Sequence, residues 1–267
     1  MKGWMLAMAV AVVVCGCDDK EKKAQALAPA ASSLAPSTVA PSEKIVKLTV
    51  DSKSRATLDM PAPKEDIKAF TDAATGSLDI DVTNLASSRG EVKMDLTTIT
   101  MKHFDDPKDD EAQTKHARCW LEVTDCEDGK LDDAVKTANK YAVYAIRSID
   151  NASQTDLSKV APTKDASGDD VRTVTMTTHG ELLIHGHKVD RDADVEAAFH
   201  YAPGGAADKP KFVTIKTKKP LRVVLAEHDV KPRDKLGKIA KASFSLLGTK
   251  VADTADITLE VRANPQS

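Results

Sequence analysis

Residues 45–60 read IVKLTVDSKSRATLDM, and their alternation decides the fold class. Val46, Leu48 and Val50 are separated by Lys47, Thr49 and Asp51. Ala56, Leu58 and Met60 follow the same rule, with Thr57 and Asp59 between them. Successive side chains of a β-strand point to opposite faces, so this pattern gives one apolar and one wet face. Working outward, the period of two returns in Leu78/Ile80/Val82 and in Val92/Met94/Leu96. The phase slips at Thr97-Thr98, so that Ile99 and Met101 continue the apolar face as a bulge would allow. Further strands are expected at Tyr141–Ile149, Val171–Thr177, Glu181–His185, Val195–Tyr201, Lys211–Thr217, Leu221–Glu227, Ser243–Leu247 and Ile257–Val261. Strands with one wet face belong to antiparallel sheets, and this many with few helices imply a barrel or sandwich.

Two helical stretches interrupt the strands. Asp109–Leu121 has acidic residues at its start, which suits the helix dipole, and Asp132–Asn139 is shorter. The segments Asp105–Asp110, Asn151–Asp170 and Pro203–Pro210 read as surface loops.

The 267 residues carry a formal charge of -3 and are 41% hydrophobic. That hydrophobicity supports a packed core, and the near balance of charge argues against a nucleic-acid-binding protein. Aromatics are scarce, at two Trp, three Tyr and five Phe, so the core must rest on Val, Ile, Leu, Met and Ala.

The N-terminal residues are expected to lie outside the fold. Lys2 precedes an apolar run from Trp4 to Val14, too short for a permanent span, so residues 1–16 read as a signal peptide. The run ends Val14-Cys15-Gly16-Cys17-Asp18-Asp19, which resembles the lipobox of bacterial lipoproteins. The small Gly16 marks Cys17, rather than Cys15 behind the bulkier Val14, as the lipid anchor. Asp18 resembles an inner-membrane retention signal. Residues 17–44 then form a lipidated N-terminus and an Ala/Pro/Ser-rich tether. The domain is expected over residues 45–263, in the cell envelope, held to a membrane through Cys17.

Cys119 and Cys126 remain once Cys15 and Cys17 are set aside. In an oxidising compartment they are expected to form a disulfide. His179, His185 and His187 crowd one segment, yet two histidines at a turn make an incomplete metal site, and none is assigned. The acidic run Asp105, Asp106, Asp109, Asp110 and Glu111 lacks calcium-loop spacing and reads as a helix N-cap with a solvated loop. Lys209, Lys211, Lys216, Lys218 and Lys219 read as a wet strand face, with contact to anionic headgroups as the alternative. No Gly-x-Ser-x-Gly, HExxH, P-loop or GxGxxG stretch occurs, so no catalytic residue and no cofactor is assigned.

Several segments in order resemble the YceI-like family of secreted bacterial proteins. Gly180-Glu181-Leu182-Leu183-Ile184-His185-Gly186 is similar to its strand ending in a His-Gly turn. Lys140-Tyr141 through Ile146-Arg147-Ser148 is similar to another strand, with Ala142 in place of a Pro and Ile146 in place of a Phe. Val251-Ala252-Asp253 to Ile257–Val261 is similar to its last strand, and His116-Ala117-Arg118 before Trp120-Leu121 falls where the family has a short helix. The resemblance implies an all-β, antiparallel, eight-stranded lipocalin-like barrel with one or two short helices. It further implies a non-enzymatic module that holds an isoprenoid or other long apolar lipid chain. Pocket liners are then expected among Leu58, Ile80, Met94, Leu96, Trp120, Tyr144, Ile184, Phe199 and Phe212. The alternative is a filled barrel acting as an envelope scaffold. The sequence names no protein partner.

Overall fold

A computed structural model describes residues 44–61, 67–102, 104–126, 129–231 and 252–266. The expected signal peptide, Cys17, most of the tether and the Ser243–Leu247 strand lie outside the described residues.

The strands are β1 (Ile45–Val50), β2 (Arg55–Met60), β3 (Ile67–Thr71), β4 (Ala74–Asp81), β5 (Arg89–Asp95), β6 (Thr100–Met101), β7 (Tyr141–Asp150), β8 (Thr163–Lys164), β9 (Asp170–Ile184), β10 (His187–Tyr201), β11 (Phe212–Thr217), β12 (Leu221–Val224) and β13 (Thr254–Pro265). The helices are α1 (Pro107–Trp120) and α2 (Asp133–Asn139). Every pairing between these strands is antiparallel. β1, β4, β5, β7, β9, β10, β11 and β13 follow one another, and β13 pairs back onto β1, which closes a ring of eight. β2, β3 and β6 prolong the ring at one end, beside β13, and β12 pairs with β13 there as well.

The extra strands are continuations of ring strands across local breaks. β1 and β2 both run along β13, which Leu48 meets at Pro265 and Arg55 meets at Glu260. Between them, buried Ser54 accepts a hydrogen bond from the Arg262 N–H and so patches the ladder at the break. β5 breaks at Asp95, whose carboxylate accepts from the Thr97 backbone N–H and hydroxyl. That capping turns Leu96–Thr98 into a 3₁₀ turn, not the single-residue bulge expected. The outcome for burial is the same, since Ile99 and Met101 both lie inside.

The two strands expected at Val171–Thr177 and Glu181–His185 are one long strand, β9. It pairs with β10 along its whole length, and Ile184-His185-Gly186-His187 makes the hairpin turn. His185 and Gly186 have φ of 51° and 76°, and a two-residue turn with both central φ positive matches the twist of the strands it joins. The strand expected to run to Glu227 ends at Val224 and becomes a 3₁₀ turn over Leu225–His228. The region Asn151–Asp170 is not wholly surface: Leu157 is fully buried, and β8 pairs with β9. Its anchor is reciprocal backbone bonding across an end of the barrel, Leu157 N to Val82 O and Leu85 N to Thr155 O.

Helix α1 starts at Pro107, ahead of the expected Asp109 and within the segment expected as a loop. The Asp106 carboxylate accepts from the Lys108 N–H, Pro107 opens the first turn, and Asp109 and Asp110 face the positive end of the dipole. It covers the free edge of β6. The Met101 N–H donates to Thr114 Oγ1 at 2.9 Å, and Arg118 Nε donates to the Ile99 carbonyl at 3.0 Å. An unpaired strand edge is a site for unwanted pairing, and this helix removes it. Just past α1, a Cys119–Cys126 disulfide ties the helix end to the next loop. No helix among the described residues is long and apolar enough to cross a membrane.

Candidate functional site

The inward faces of the ring strands form one large apolar cluster, and Ile67, Ala69, Ile99 and Met101 form a smaller one beneath α1. Neither fills the space available. The described residues line apolar chambers of ≈ 90, ≈ 70 and ≈ 70 Å³, taken here as first, second and third.

The first chamber lies at the end of the ring that carries β2, β3 and β12. Leu58, Met94, Leu96, Tyr144 and Ile184 line it. Leu121, past α1, and Leu225 and Val230, past β12, also line it. The second chamber occupies the other half of the ring, where Ile80, Leu85, Met176 and Phe199 line it. Tyr144, Val92 and Leu259 line both, so the two chambers meet at these three side chains. The third lies between α1 and the β2–β3 hairpin. It shares Leu58, Ile99, Leu121, Leu225, Val230 and Ala255 with the first, and Trp120, His116 and Gln113 border it on the helix side.

Eight of the nine candidate liners therefore border a chamber, distributed over three. Phe212 is the correction. Its ring stacks on His200 at 4.2 Å, and the Arg262 guanidinium carbon sits 3.5 Å from its centroid. Strand parity is the reason: the fully buried Val213 and the chamber-lining Ile215 hold the inward phase of β11, which turns Phe212 outward. Sequence reasoning missed Val92, Leu182 and Leu259. The first two share a face with the candidates Met94 and Ile184 two residues on, so the signal was present. Leu225 is in phase with Leu221 and Val223 of the expected strand Leu221–Glu227, whereas Val230 lies beyond it and had no such signal.

Tyr144 is the polar group in this apolar wall. Its hydroxyl lies 2.9 Å from the Arg191 carbonyl, 3.0 Å from the Thr178 carbonyl and 3.0 Å from Thr178 Oγ1. One proton serves the carbonyls, and the oxygen can accept from Thr178. Burial pushes the Tyr144 hydroxyl up to about 12, against a smaller opposing effect of the Thr178 hydrogen bond, so it stays protonated. Its ring rests on Gly180, where any Cβ would come within 2.4 Å of Tyr144 Cζ.

A polar clamp gathers beside the first chamber. His185 Nε2 lies 2.8 Å from Glu122 Oε2, and its Nδ1 donates to the His228 carbonyl at 3.0 Å. His228 Nδ1 in turn reaches the His187 carbonyl at 3.1 Å. Burial lowers the pKa of His228, with the His187 and Ile184 carbonyls opposing it. The clamp joins the disulfide loop, the β9–β10 turn and the Leu225–His228 turn, which bring Leu121, Ile184 and Leu225 to the chamber wall. His185, His187 and Asp229 bring potential metal-ligating atoms within 4.8 Å of one another. Both His185 nitrogens are hydrogen-bonded, and Asp229 pairs with Lys231 at 2.6 Å.

His179 lies apart, on the outer face, between Asp150 at 2.9 Å and Asp192 at 2.7 Å. Among the lysines of the basic stretch, Lys211 pairs with Asp169, Lys216 with Glu260 and Lys219 with Asp194. This pairing accounts for much of the positive charge without a headgroup.

No protein-family model and no curated protein matches the chain. Several solved structures are similar to it, two of which follow. One is a polyisoprenoid-binding domain from Saccharophagus degradans implicated in plant cell wall breakdown, at 11% identity and TM-score 0.49, over 84% of this chain and 100% of that one. The other is BcnA from Burkholderia cenocepacia, at 13% identity and TM-score 0.45, over 80% of this chain and 99% of that one.

Proposed function

We propose that the protein is a non-enzymatic binding module that holds the apolar tail of a lipid, of the isoprenoid or long-acyl class, inside its barrel. The lipidated Cys17 would keep it at a membrane in the cell envelope, next to the supply of that lipid. One observation carries the reading: apolar chambers stand unfilled inside a closed ring of strands. Side chains that border open apolar space forgo packing contacts on that side, at a cost in stability. A sequence selected only for a stable scaffold would close that space with larger aliphatics. An apolar chain entering it offsets the cost and buries its own surface at about 25 cal/mol per Å². The resemblance of the strand and turn segments to the YceI-like family supports the same ligand class. The Cys17 anchor rests on the sequence at residues 14–19.

Native mass spectrometry of the purified full chain tests it. A lipid adduct near one per protein is expected, with a prenyl or acyl chain released by organic extraction. If no adduct is found, and prenyl and fatty alcohols leave the melting temperature unchanged, the reading is wrong.

A further inference from the structure

We infer that the Tyr144 ring is a septum that sets how long an apolar tail the barrel accepts. The inference rests on the lipid-binding reading and goes beyond it by naming the residue that selects chain length.

Three observations carry it. Tyr144 lines the first and second chambers, and with Val92 and Leu259 its ring stands where they meet. The ring is held at its hydroxyl end: Cζ and Cε2 lie against β9 at Gly180, and the hydroxyl is fixed on Thr178 and the Arg191 carbonyl. A buried hydroxyl cannot leave such partners without cost, so the ring does not swing aside freely. The chambers also differ in how they continue. The first and third share six wall residues and adjoin beneath α1, where half-buried Gln113 and His116 supply a polar border. The second ends against Leu85 and Ser88 at the far end. A lipid placed with its headgroup at the α1 border runs its tail through the third and first chambers and stops at Tyr144.

The test uses geraniol, farnesol and geranylgeraniol, alcohols of increasing tail length, displacing the neutral fluorophore N-phenyl-1-naphthylamine from the full chain. Wild-type affinity is expected to rise from geraniol to farnesol and then level off, with geranylgeraniol within roughly twofold of farnesol, because its last unit finds no apolar space. Tyr144→Ala and Tyr144→Leu open the septum, and geranylgeraniol should then bind at least roughly tenfold more tightly than farnesol. Tyr144→Phe keeps the ring and should keep the plateau. Near-UV circular dichroism establishes that each variant is folded. A wild-type affinity that climbs through the whole series overturns the septum while leaving lipid binding intact, and this arm decides the matter even if neither truncation folds. A plateau that survives in the folded variants overturns it too. Failure of every alcohol to displace the fluorophore overturns the lipid-binding reading itself, a different result.

Discussion

At the scale of single residues, the structure concentrates its strictest demand on Gly180. Gly180 has an ordinary place in the β9–β10 ladder, opposite Arg191, so no special backbone angle asks for glycine. The demand comes from the Tyr144 ring lying on it. Gly180→Ala should therefore cost about 1–3 kcal/mol through overpacking, read as a lower urea midpoint at unchanged slope. An unchanged midpoint would show that the ring yields easily. His179 makes a different prediction, one of pH. Its hydrogen bonds to Asp150 and Asp192 raise its pKa above the ordinary histidine value. A raised histidine adds stability that is fully present below its unfolded pKa and is lost as pH rises through the folded value. The penalty for His179→Gln should thus be larger at pH 5.5 than at pH 8.5. An equal penalty at both would mean that the protonated ring gains nothing from the two carboxylates.

At the scale of elements, the loop between Cys119 and Cys126 binds α1 to the wall of the first chamber. Closing a loop of 7 residues' separation is worth about 2–3 kcal/mol by chain entropy. Replacing both cysteines by serine should lower stability by that amount in urea titrations. It should also loosen the Glu122–His185 clamp, visible as faster amide exchange at His185 and Leu121. The disulfide was legible because cysteine arithmetic left one pair, and α1 was legible from its acidic start. The ring strands were legible wherever one face meets water, as in β1, β4 and β5. β3 was missed, since IKAFT is short and follows a Pro-rich stretch. The division of labour among the chambers was not legible. Period fixes which residues point inward, but which cavity they reach depends on the bends at Asp51–Ser54 and Asp95–Ile99, set by the Ser54–Arg262 bond across the sheet and by the Asp95 cap on Thr97. The clamp was hidden for the same reason: Glu122, His185 and His228 are distant in sequence and meet only when the barrel closes.

At the scale of the whole molecule, scarce aromatics and unfilled space are one property. A barrel of this kind needs bulk at its centre, and here Tyr144 and Phe199 are the aromatics that border the two chambers inside the ring. The rest of that lining is mainly aliphatic, with small Ala56, Ala142 and Ala255 facing the first chamber. If the chamber is kept open for a ligand, stability and binding must oppose each other there. Ala255→Val tests this, because Ala255 is buried on β13 and borders both the first and third chambers. The added methyl groups fill part of the void, so the variant should be more stable without ligand, by ~0.5–2 kcal/mol. The same groups occupy the path of the tail, so affinity for farnesol should fall by roughly tenfold. Thermal unfolding with and without farnesol reads both quantities in one experiment: the melting temperature without ligand rises while the ligand-induced shift shrinks. A variant that loses stability and keeps its full shift would show that the wall at Ala255 has no room to spare and that no tail passes it.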